Sequence, residues 1–521
     1  MSWIVLGEEK GSIKLISKTD IKGMLPKGSY LTVEEGGTKF ILRVTKSFQY
    51  SPYAPSPLIV DMDLKPLAAD RRTLNIVYAD IVRIISKRED GLIDFLKPQS
   101  IARRSTQEEI DIAIGSEKKG PKVFLATVQY GENQKLIDEH GKYITVNLPE
   151  DMYYHQILIC GKTGSGKTVA AKYLAQYFVE EMQGSVLAVN VKGDDLLKMY
   201  LPSQTNNGEI LKEWEDLGVS PHGIENFVIY YPSTTNLPAG VETEYGEKIT
   251  LNVNDIDPNA LTGLLHNISD VGAQSLPNIF RYWRDCWRIE KDMPEAKFSD
   301  FVTYFQRGKN DKYMYKTLNE RGEIGETQLH HSTYTNLLYN LDNARIFFDN
   351  PDAKTLDVDD ILFPGKMSVI HVAESGGIDF GSILLRDLLH KIVKAKDEKR
   401  KAYPPILIII DEVHQFYKTD SSKEALGDLD TICRTGRSKQ IGIIFSSQNP
   451  TDIPRGLESV INTKIFFNSN YKIIKSLGLD ISLVEVESLK KGYAIGSIYG
   501  MPHLKIFKFP LALAGVFEIK R

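Results

Sequence analysis

The run Gly161-Lys162-Thr163-Gly164-Ser165-Gly166-Lys167-Thr168 satisfies G-x-x-x-x-G-K-[ST] at every fixed position. These residue types at this spacing bind phosphate. Gly161, Gly164 and Gly166 let the backbone curl until its N–H groups point inward, with Thr163 and Ser165 in the same curl. Lys167 supplies a point charge for β- and γ-phosphates, and the Thr168 hydroxyl is a magnesium ligand. Val169 opens a helical pattern whose N-terminal dipole end faces the same anion. An apolar, strand-like run at 157–160 precedes the loop, as this chemistry requires.

A second chemistry-bearing pair, Asp411-Glu412, ends the apolar run 406–410. Strand C-termini of a parallel sheet face the ligand crevice. There Asp411 would hold magnesium through water, and Glu412 would orient and activate an attacking water. Loop and carboxylates together predict hydrolysis of ATP with Mg2+. Gln448 follows the strand-like run 443–446, where a γ-phosphate sensor belongs. Arg434 and Arg437 are candidates for stabilising γ-phosphate charge in the transition state, although either also suits a cationic helix C-terminus. His414 fits a contact with Gln448 or with nucleotide as well as it fits an ordinary loop histidine.

The elements that must position these residues follow from periodicity. From 156 onward, strand-like runs (157–160, 186–191, 368–372, 406–410, 442–446, 464–468) alternate with helical ones (169–182, 382–399, 423–434). That alternation predicts an α/β, RecA-like P-loop core with a parallel sheet covered by helices. Residues 259–349 interrupt it with helical spacing and many aromatics. The first 150 residues read as β, with short runs at 3–7, 12–17, 30–34, 39–44, 74–85, 123–129 and 143–146. They suggest a small barrel, with a proline-rich loop at 51–57 and a short helix at 107–117. The expected division is an N-terminal β-barrel (1–150), an ATPase core in two parts (151–255 and 356–500), a helical insertion (256–355) and a C-terminal strand and tail (501–521).

Composition narrows the class. The 521 residues are 42% hydrophobic and 25% charged, which excludes wholesale disorder and collagen-like repeats. No apolar run approaches the roughly 20 residues of a membrane helix, and three cysteines are too few for a disulfide framework or a zinc site. A cytoplasmic setting without a membrane partner is expected. Net charge −4 excludes a uniformly basic nucleic-acid binder but not a ring with a basic channel. The interval between Lys167 and Asp411 exceeds what one P-loop core requires. The residues after Asp411 are too few for a second nucleotide-binding domain, so tandem-core helicases are excluded. A single core leaves one side of the nucleotide open, and completion by a neighbouring subunit predicts a ring.

Together these pieces resemble the HerA family of hexameric P-loop ATPases, within the wider FtsK–HerA class. The resemblance rests on the β-barrel, the 161–168 loop, the helical insertion, Asp411-Glu412-Val413-His414, and the run Arg434-Thr435-Gly436-Arg437 followed by Gly442 and Ser447-Gln448-Asn449-Pro450. His155 matches a frequent family histidine. The resemblance implies a homo-hexameric DNA translocase driven by ATP, with DNA in its central channel. It also implies a partner docked on the barrel, either a NurA-like nuclease or a phage-defence effector. Many relatives carry a basic residue just before that histidine, acting across the subunit interface. This chain has Met152-Tyr153-Tyr154, which leaves Arg434, Arg437, Arg321 or Arg345 for that role.

DNA contacts have two candidate sites. Lys192 and Lys198 flank a loop holding Asp194 and Asp195. The segment 281–288 mixes Arg281, Arg284 and Arg288 with Tyr282, Trp283 and Trp287, as single-strand binders do, although these aromatics also suit the insertion's core. His330-His331 lacks a matching ligand set and reads as surface polar. Two functions stay open: a translocating motor, and a nucleotide-dependent ring scaffold that activates an effector. A conjugation-type secretion ATPase fits less well without membrane spans.

Overall fold

The computed structural model describes residues 3–17, 25–50, 74–86, 94–138, 140–193, 196–264, 270–373, 377–398, 402–417, 426–476 and 482–518. The proline-rich loop 51–57, Asp194, Asp195 and the start of the expected helix 423–434 lie outside them.

Six antiparallel strands close an N-terminal barrel: β1 (Trp3–Glu9), β2 (Ser12–Ser17), β3 (Tyr30–Glu35), β4 (Thr38–Tyr50), β5 (Leu74–Ile85) and β6 (Ile101–Arg104). Their order around the barrel is β1-β2-β5-β4-β3-β6. Alternation along the strands sends Leu15, Leu31, Val33, Phe40, Leu42 and Val77 into a core of the barrel's own. The helix Gln107–Ile114 follows, started by a capping box between Thr106 and Glu109. Glu109 is buried and accepts from Arg103 at 2.7 and 2.8 Å, Thr32 at 2.9 Å and Lys39 at 3.0 Å. Burial pushes this carboxyl up, but the donors outweigh it and hold it far below the usual carboxylate range.

Beyond the helix the chain builds one large sheet. Its strands are β7 (Lys122–Gln129), β8 (Glu132–Lys135), β9 (Thr145–Asn147), β10 (Ile157–Cys160), β11 (Ser185–Asn190), β12 (Phe227–Pro232) and β13 (Gly246–Thr250). A separate hairpin, β14 (Met314–Leu318) and β15 (Ile324–Gln328), interrupts the series. The sheet resumes with β16 (Lys354–Thr355), β17 (Met367–His371), β18 (Ile406–Asp411), β19 (Ile441–Ser447), β20 (Thr463–Phe466), β21 (Tyr493–Ser497) and β22 (Ile506–Lys508). The order is β16-β13-β12-β17-β11-β18-β19-β10-β20-β21-β22-β7-β8, with β9 on β7. From β16 to β20 every pairing is parallel. The strands β10, β11 and β17 are buried along their whole length, as strands covered on both faces must be. This is the expected α/β, RecA-like P-loop core.

Two features differ from the sequence reading. Strands β7, β8 and β9, grouped there with the barrel, hydrogen-bond into the large sheet through β22. The mostly helical insertion also carries the β14–β15 hairpin. Its helices Asp270–Tyr282, Phe298–Arg307 and His331–Ala344 converge on an aromatic centre. Trp283, Phe280, Phe301 and Phe305 are all buried there, with the Trp283 and Phe301 rings 5.3 Å apart. The cations beside them are engaged within the chain. Arg281 donates to Leu318 O, Arg284 to Ile256 O, and Arg288 to Asn254. The core reading of 281–288 therefore holds.

The helix Asp428–Lys439 lies directly on the start of β19. A Cβ at Gly436 would meet Ile441 O at 2.3 Å, so only glycine permits this approach. Gln156 is buried in the same seam. Its Oε1 accepts from Ile443 N at 2.8 Å, and its Nε2 donates to Ile432 O at 3.3 Å. Gly436→Ala is expected to destabilise the protein by about 1–3 kcal/mol through overpacking, read as a lowered unfolding midpoint in denaturant.

Candidate nucleotide-hydrolysis site

Strand β10 lies between β19 and β20, with Cys160 in register with Ser447 on one side and Phe466 on the other. The chain leaves the sheet at Gly161 and turns into the helix Lys167–Glu180. Gly164 and Gly166 have φ of 78° and 116°, which side chains oppose. A Cβ at Gly166 would also sit 3.1 Å from Gly492 N, and that N–H donates to Ser165 O at 3.1 Å. The segment before β21 thus braces the loop from outside. Gly166 is the N-cap and offers no side-chain cap, so the first-turn N–H groups remain for an anion. Lys167 Nζ turns into the loop and donates to Gly161 O at 2.6 Å and Lys162 O at 3.3 Å. Burial holds this ammonium below its ordinary value. Ser165 Oγ donates to Lys162 O at 2.7 Å. Thr163 is exposed, and Thr168 and Val169 are half-buried on the first helical turn.

Asp411 ends β18 in register with Ser446 of β19. Glu412 then leaves the sheet in the left-handed region, φ 49° and ψ 58°. For a residue with a Cβ this conformation is uncommon and costs energy that the surroundings must supply. One hydrogen bond that holds it runs from Glu412 N to Ser446 O, at 2.8 Å. The Glu412 side chain is 3% exposed. Its Oε1 accepts from Gln448 Nε2 at 3.0 Å and pairs with the Lys192 ammonium. Its Oε2 is buried without a hydrogen-bond partner. It lies 3.6 Å from His414 Nδ1, which is 3.8 Å from Asp452 Oδ2. Burial pushes the Glu412 carboxyl up. The Lys192 and Gln448 hydrogen bonds and the Lys192 charge outweigh it, and the net position is below the usual carboxylate range.

Among the expected residues, Glu412, Gln448 and His414 come together, and the charges of Glu412 and Asp411 act on Lys167. Lys192 takes a different place from the one expected: it pairs with Glu412. It follows β11, which neighbours β18, with Val189 opposite Ile410. Strand order is invisible in a single sequence, so only the DNA-loop reading was open there. Asp452 was missed for the same reason. Lys198 packs 6.0 Å from the Phe517 ring.

The arginines lie elsewhere within the chain. Arg434 pairs with Asp430 at 2.8 Å on its own helix, and Arg437 stands 3.7 Å from Asp151, both ends exposed. Neither partners Lys167, Glu412 or Gln448. Both sit inside the helix Asp428–Lys439. Arg345 pairs with Asp342 at 2.8 Å, and Arg321 is exposed beside β15. His155 stacks on Tyr499 with ring centres 3.6 Å apart. Burial and the Arg437 charge hold it below its ordinary value. His330 caps the helix His331–Ala344, while His331 Nδ1 lies 2.8 Å from the Tyr313 hydroxyl.

The residues present fit a nucleoside triphosphate with magnesium. An uncapped helix N-terminus, a glycine curl and an ammonium suit the phosphates. The Thr168 hydroxyl and Asp411 carboxylate are hard oxygen donors of the kind magnesium takes. The unpartnered, buried Glu412 Oε2 is an acceptor available to a water. Fold and site define a P-loop protein with a RecA-like core.

Residues 134–467 match the family Helicase HerA-like C-terminal, and the chain belongs to that family. Two curated relatives are described as DNA double-strand break repair helicase HerA. That of Sulfurisphaera tokodaii is 31% identical over 176 residues, covering 30% of this chain and 35% of the relative. That of Pyrococcus furiosus is 29% identical over 135 residues, covering 24% of each. The chain thus spans about a third or less of the curated relatives it matches. Among solved structures, the bacterial conjugative coupling protein TrwB superposes with a TM-score of 0.49 at 13% identity, covering 80% of this chain and 94% of that one. VirB4 of Thermoanaerobacter pseudethanolicus gives 0.45 at 12% identity, covering 76% and 97%. Among the described residues, no helix is long and apolar enough to cross a membrane.

Removing the Lys192 charge leaves burial to push the Glu412 carboxyl up. Since Glu412 must be ionised to accept a proton, Lys192→Ala is expected to move the acid limb of ATP hydrolysis to higher pH. A pH–rate profile checks the direction, with ATP affinity measured in parallel to separate binding from chemistry.

Proposed function

We propose that this chain is an ATPase that couples hydrolysis to movement along DNA as a homo-hexameric ring of helicase type. The observation that carries the reading is the buried Glu412 carboxylate, held ionised at the C-terminal edge of the sheet and hydrogen-bonded by Gln448. A chain built only to hold nucleotide has no need of such a group. Lys167 and the first-turn N–H groups bind the β- and γ-phosphates. Thr168, and Asp411 through water, would hold Mg2+, which would neutralise phosphate charge and orient the phosphates. Glu412 Oε2 positions the attacking water and takes its proton. Gln448 reports the γ-phosphate to Glu412 through the bond they share.

The DNA part of the reading is supported by family membership and by relatives described as DNA double-strand break repair helicases. Arg434 and Arg437 act from the neighbouring subunit, consistent with their exposure on a helix away from their own chain's phosphate loop. A nuclease or defence effector docks on the barrel, where Leu6, Ile81, Phe95 and Ile101 are exposed apolar residues. Break repair and phage defence both suit such a partner, and a cytoplasmic setting suits either.

The test is ATP turnover by the purified chain with and without linear double-stranded DNA, alongside its mass in solution. A ring-sized mass and DNA-stimulated turnover are expected. Lys167→Ala should lower turnover at least a hundredfold, the scale of losing one preorganised charge partner. Glu412→Gln should keep ATP binding and stop hydrolysis. Turnover indifferent to DNA, in a ring, would replace the motor with a nucleotide-gated scaffold.

A further inference from the structure

Two loops leave the sheet side by side, one after β18 and one after β19, and three of their side chains converge. The left-handed backbone of Glu412 turns the chain back into the short turn Val413–Gln415, which Gln415 N closes by donating to Glu412 O at 2.8 Å. His414 is thereby brought over its neighbour's carboxylate, with Nδ1 3.6 Å from Glu412 Oε2. From the other loop, Asp452 Oδ2 comes to 3.8 Å from the same nitrogen. One ligand atom from each of the three residues lies within 4.8 Å of the others. We propose that Glu412, His414 and Asp452 form a site for a divalent transition cation of the Zn2+ type, separate from the magnesium position at Thr168 and Asp411, and that filling it arrests hydrolysis. The site stands on its own geometry; the arrest rests on the ATPase reading.

Spacing is the first support. Both separations are too long for hydrogen bonds. Donors around a tetrahedral cation with bonds of about 2.0–2.2 Å stand roughly 3.3–3.5 Å apart. His414 therefore needs to move by only a few tenths of an ångström to share a cation with both carboxylates. The second support is Glu412 Oε2. Its side chain is 3% exposed, and this oxygen has no hydrogen-bond partner. A buried acceptor left unsatisfied costs free energy that a cation would return.

Donor chemistry selects the ion. An imidazole nitrogen with two carboxylates suits Zn2+, Co2+ or Ni2+, whereas magnesium takes oxygen ligands and is served by Thr168 and Asp411. Outer partners already orient the ligands. Lys192 and Gln448 both engage Glu412 Oε1, which leaves Oε2 for the cation. Asp452 accepts from Ser447 Oγ and, at 3.2 Å, from Asn449 N. Such contacts fix the orientation of metal ligands. His414 is exposed, so an ion reaches the site from solvent. The Lys192 ammonium beside Glu412 opposes a second positive charge, which makes the site reversible rather than structural. A cation on Oε2 occupies the oxygen that the ATPase reading gives to the attacking water. The phosphate loop lies outside the ligand set, so bound ATP stays bound and is not split.

The probe is Co2+, added to the purified full chain in excess Mg2+ without nucleotide and read by its visible d–d absorption. One Co2+ per chain, displaced by Zn2+, is expected. His414→Ala and Asp452→Asn should each lower Co2+ affinity at least tenfold, a loss that even outer partners of a metal site produce. Unfolding midpoints equal to wild type show that both variants fold. In parallel, saturating Zn2+ should lower wild-type ATP turnover at least tenfold while ATP affinity stays within twofold, and a chelator should restore the rate. Each variant should need at least tenfold more Zn2+ for the same proportional loss. Co2+ that does not bind, or that binds wild type and both variants equally, overturns the site. Co2+ held by these ligands with turnover undiminished by Zn2+ keeps the site and overturns the arrest. A chain that splits no ATP before Zn2+ is added overturns the ATPase reading alone, and the Co2+ titration still decides the site.

Discussion

Parallel register between β18, β19 and β10 is the constraint from which the site follows. Asp411 and Ile159 both face Ser446 across their respective ladders, and Cys160 faces Ser447. The phosphate loop and the acidic pair therefore leave the sheet at one level, although nearly half of the chain's length separates them in sequence. Side chains alternate between faces with a period of two, so a one-residue slip would turn Asp411 to the opposite face. The slip is opposed by strands buried on both faces and by the Gln156 seam, which ties the β10 approach to β19 and to the helix behind it. Gly436 belongs to that same constraint, because the helix can reach the seam only without a Cβ.

That register places a carboxylate where burial alone would keep it protonated. Glu412 is nearly inaccessible and its backbone is in an unfavourable region, yet its net position is below the usual carboxylate range. Two groups from two neighbouring strand ends account for this: Lys192 beyond β11 and Gln448 beyond β19. The arrangement is asymmetric. Oε1 takes both partners, while Oε2 takes none and faces His414. A carboxylate held this way keeps one acceptor oxygen open. Its ionisation depends on the strand ends staying together, so a movement of either loop alters Glu412 directly.

The parts legible in the sequence were those with local signals. The phosphate loop is a contiguous string with a fixed pattern, and Asp411-Glu412 is marked by an apolar run that stops at two charges. The six core strands read from the sequence agree to within one or two residues, because period and turn chemistry are local too, whereas β12, β13 and β16 were not read. Gln448 follows a recognisable strand, and its amide reaches Glu412. What stayed hidden depends on strand order. Lys192 and Asp452 belong to the site only because β11 and β19 flank β18, and nothing within either segment says so. For the same reason β7 to β9 read as more barrel: their β-branched runs are indistinguishable from β1 to β6 until β22 pairs with β7. The cations of 281–288 suggested a nucleic-acid surface by composition, but helical spacing, which puts Trp283 over Phe301, decides their burial.

The pairing of β22 with β7 has a mechanical consequence. The phosphate loop is braced by Gly492, which precedes β21, and β21 pairs with β22. Strand β7, next in the sheet, begins shortly after the helix that Glu109 fastens to the barrel. A second link runs through Lys27, near the start of β3. Its N–H donates to Gln129 Oε1 at 3.0 Å, and its ammonium pairs with Glu485 at 2.5 Å. Glu485 lies in the short helix Leu483–Glu487, which leads into Lys490 and Gly492. The barrel is therefore joined twice to the segment that braces the phosphate cradle, once through a sheet ladder and once through a partly buried ion pair. Packed, hydrogen-bonded segments of this kind transmit displacement rather than absorb it. A force applied to the barrel face would be felt at Gly492, one hydrogen bond from the loop that holds the phosphates.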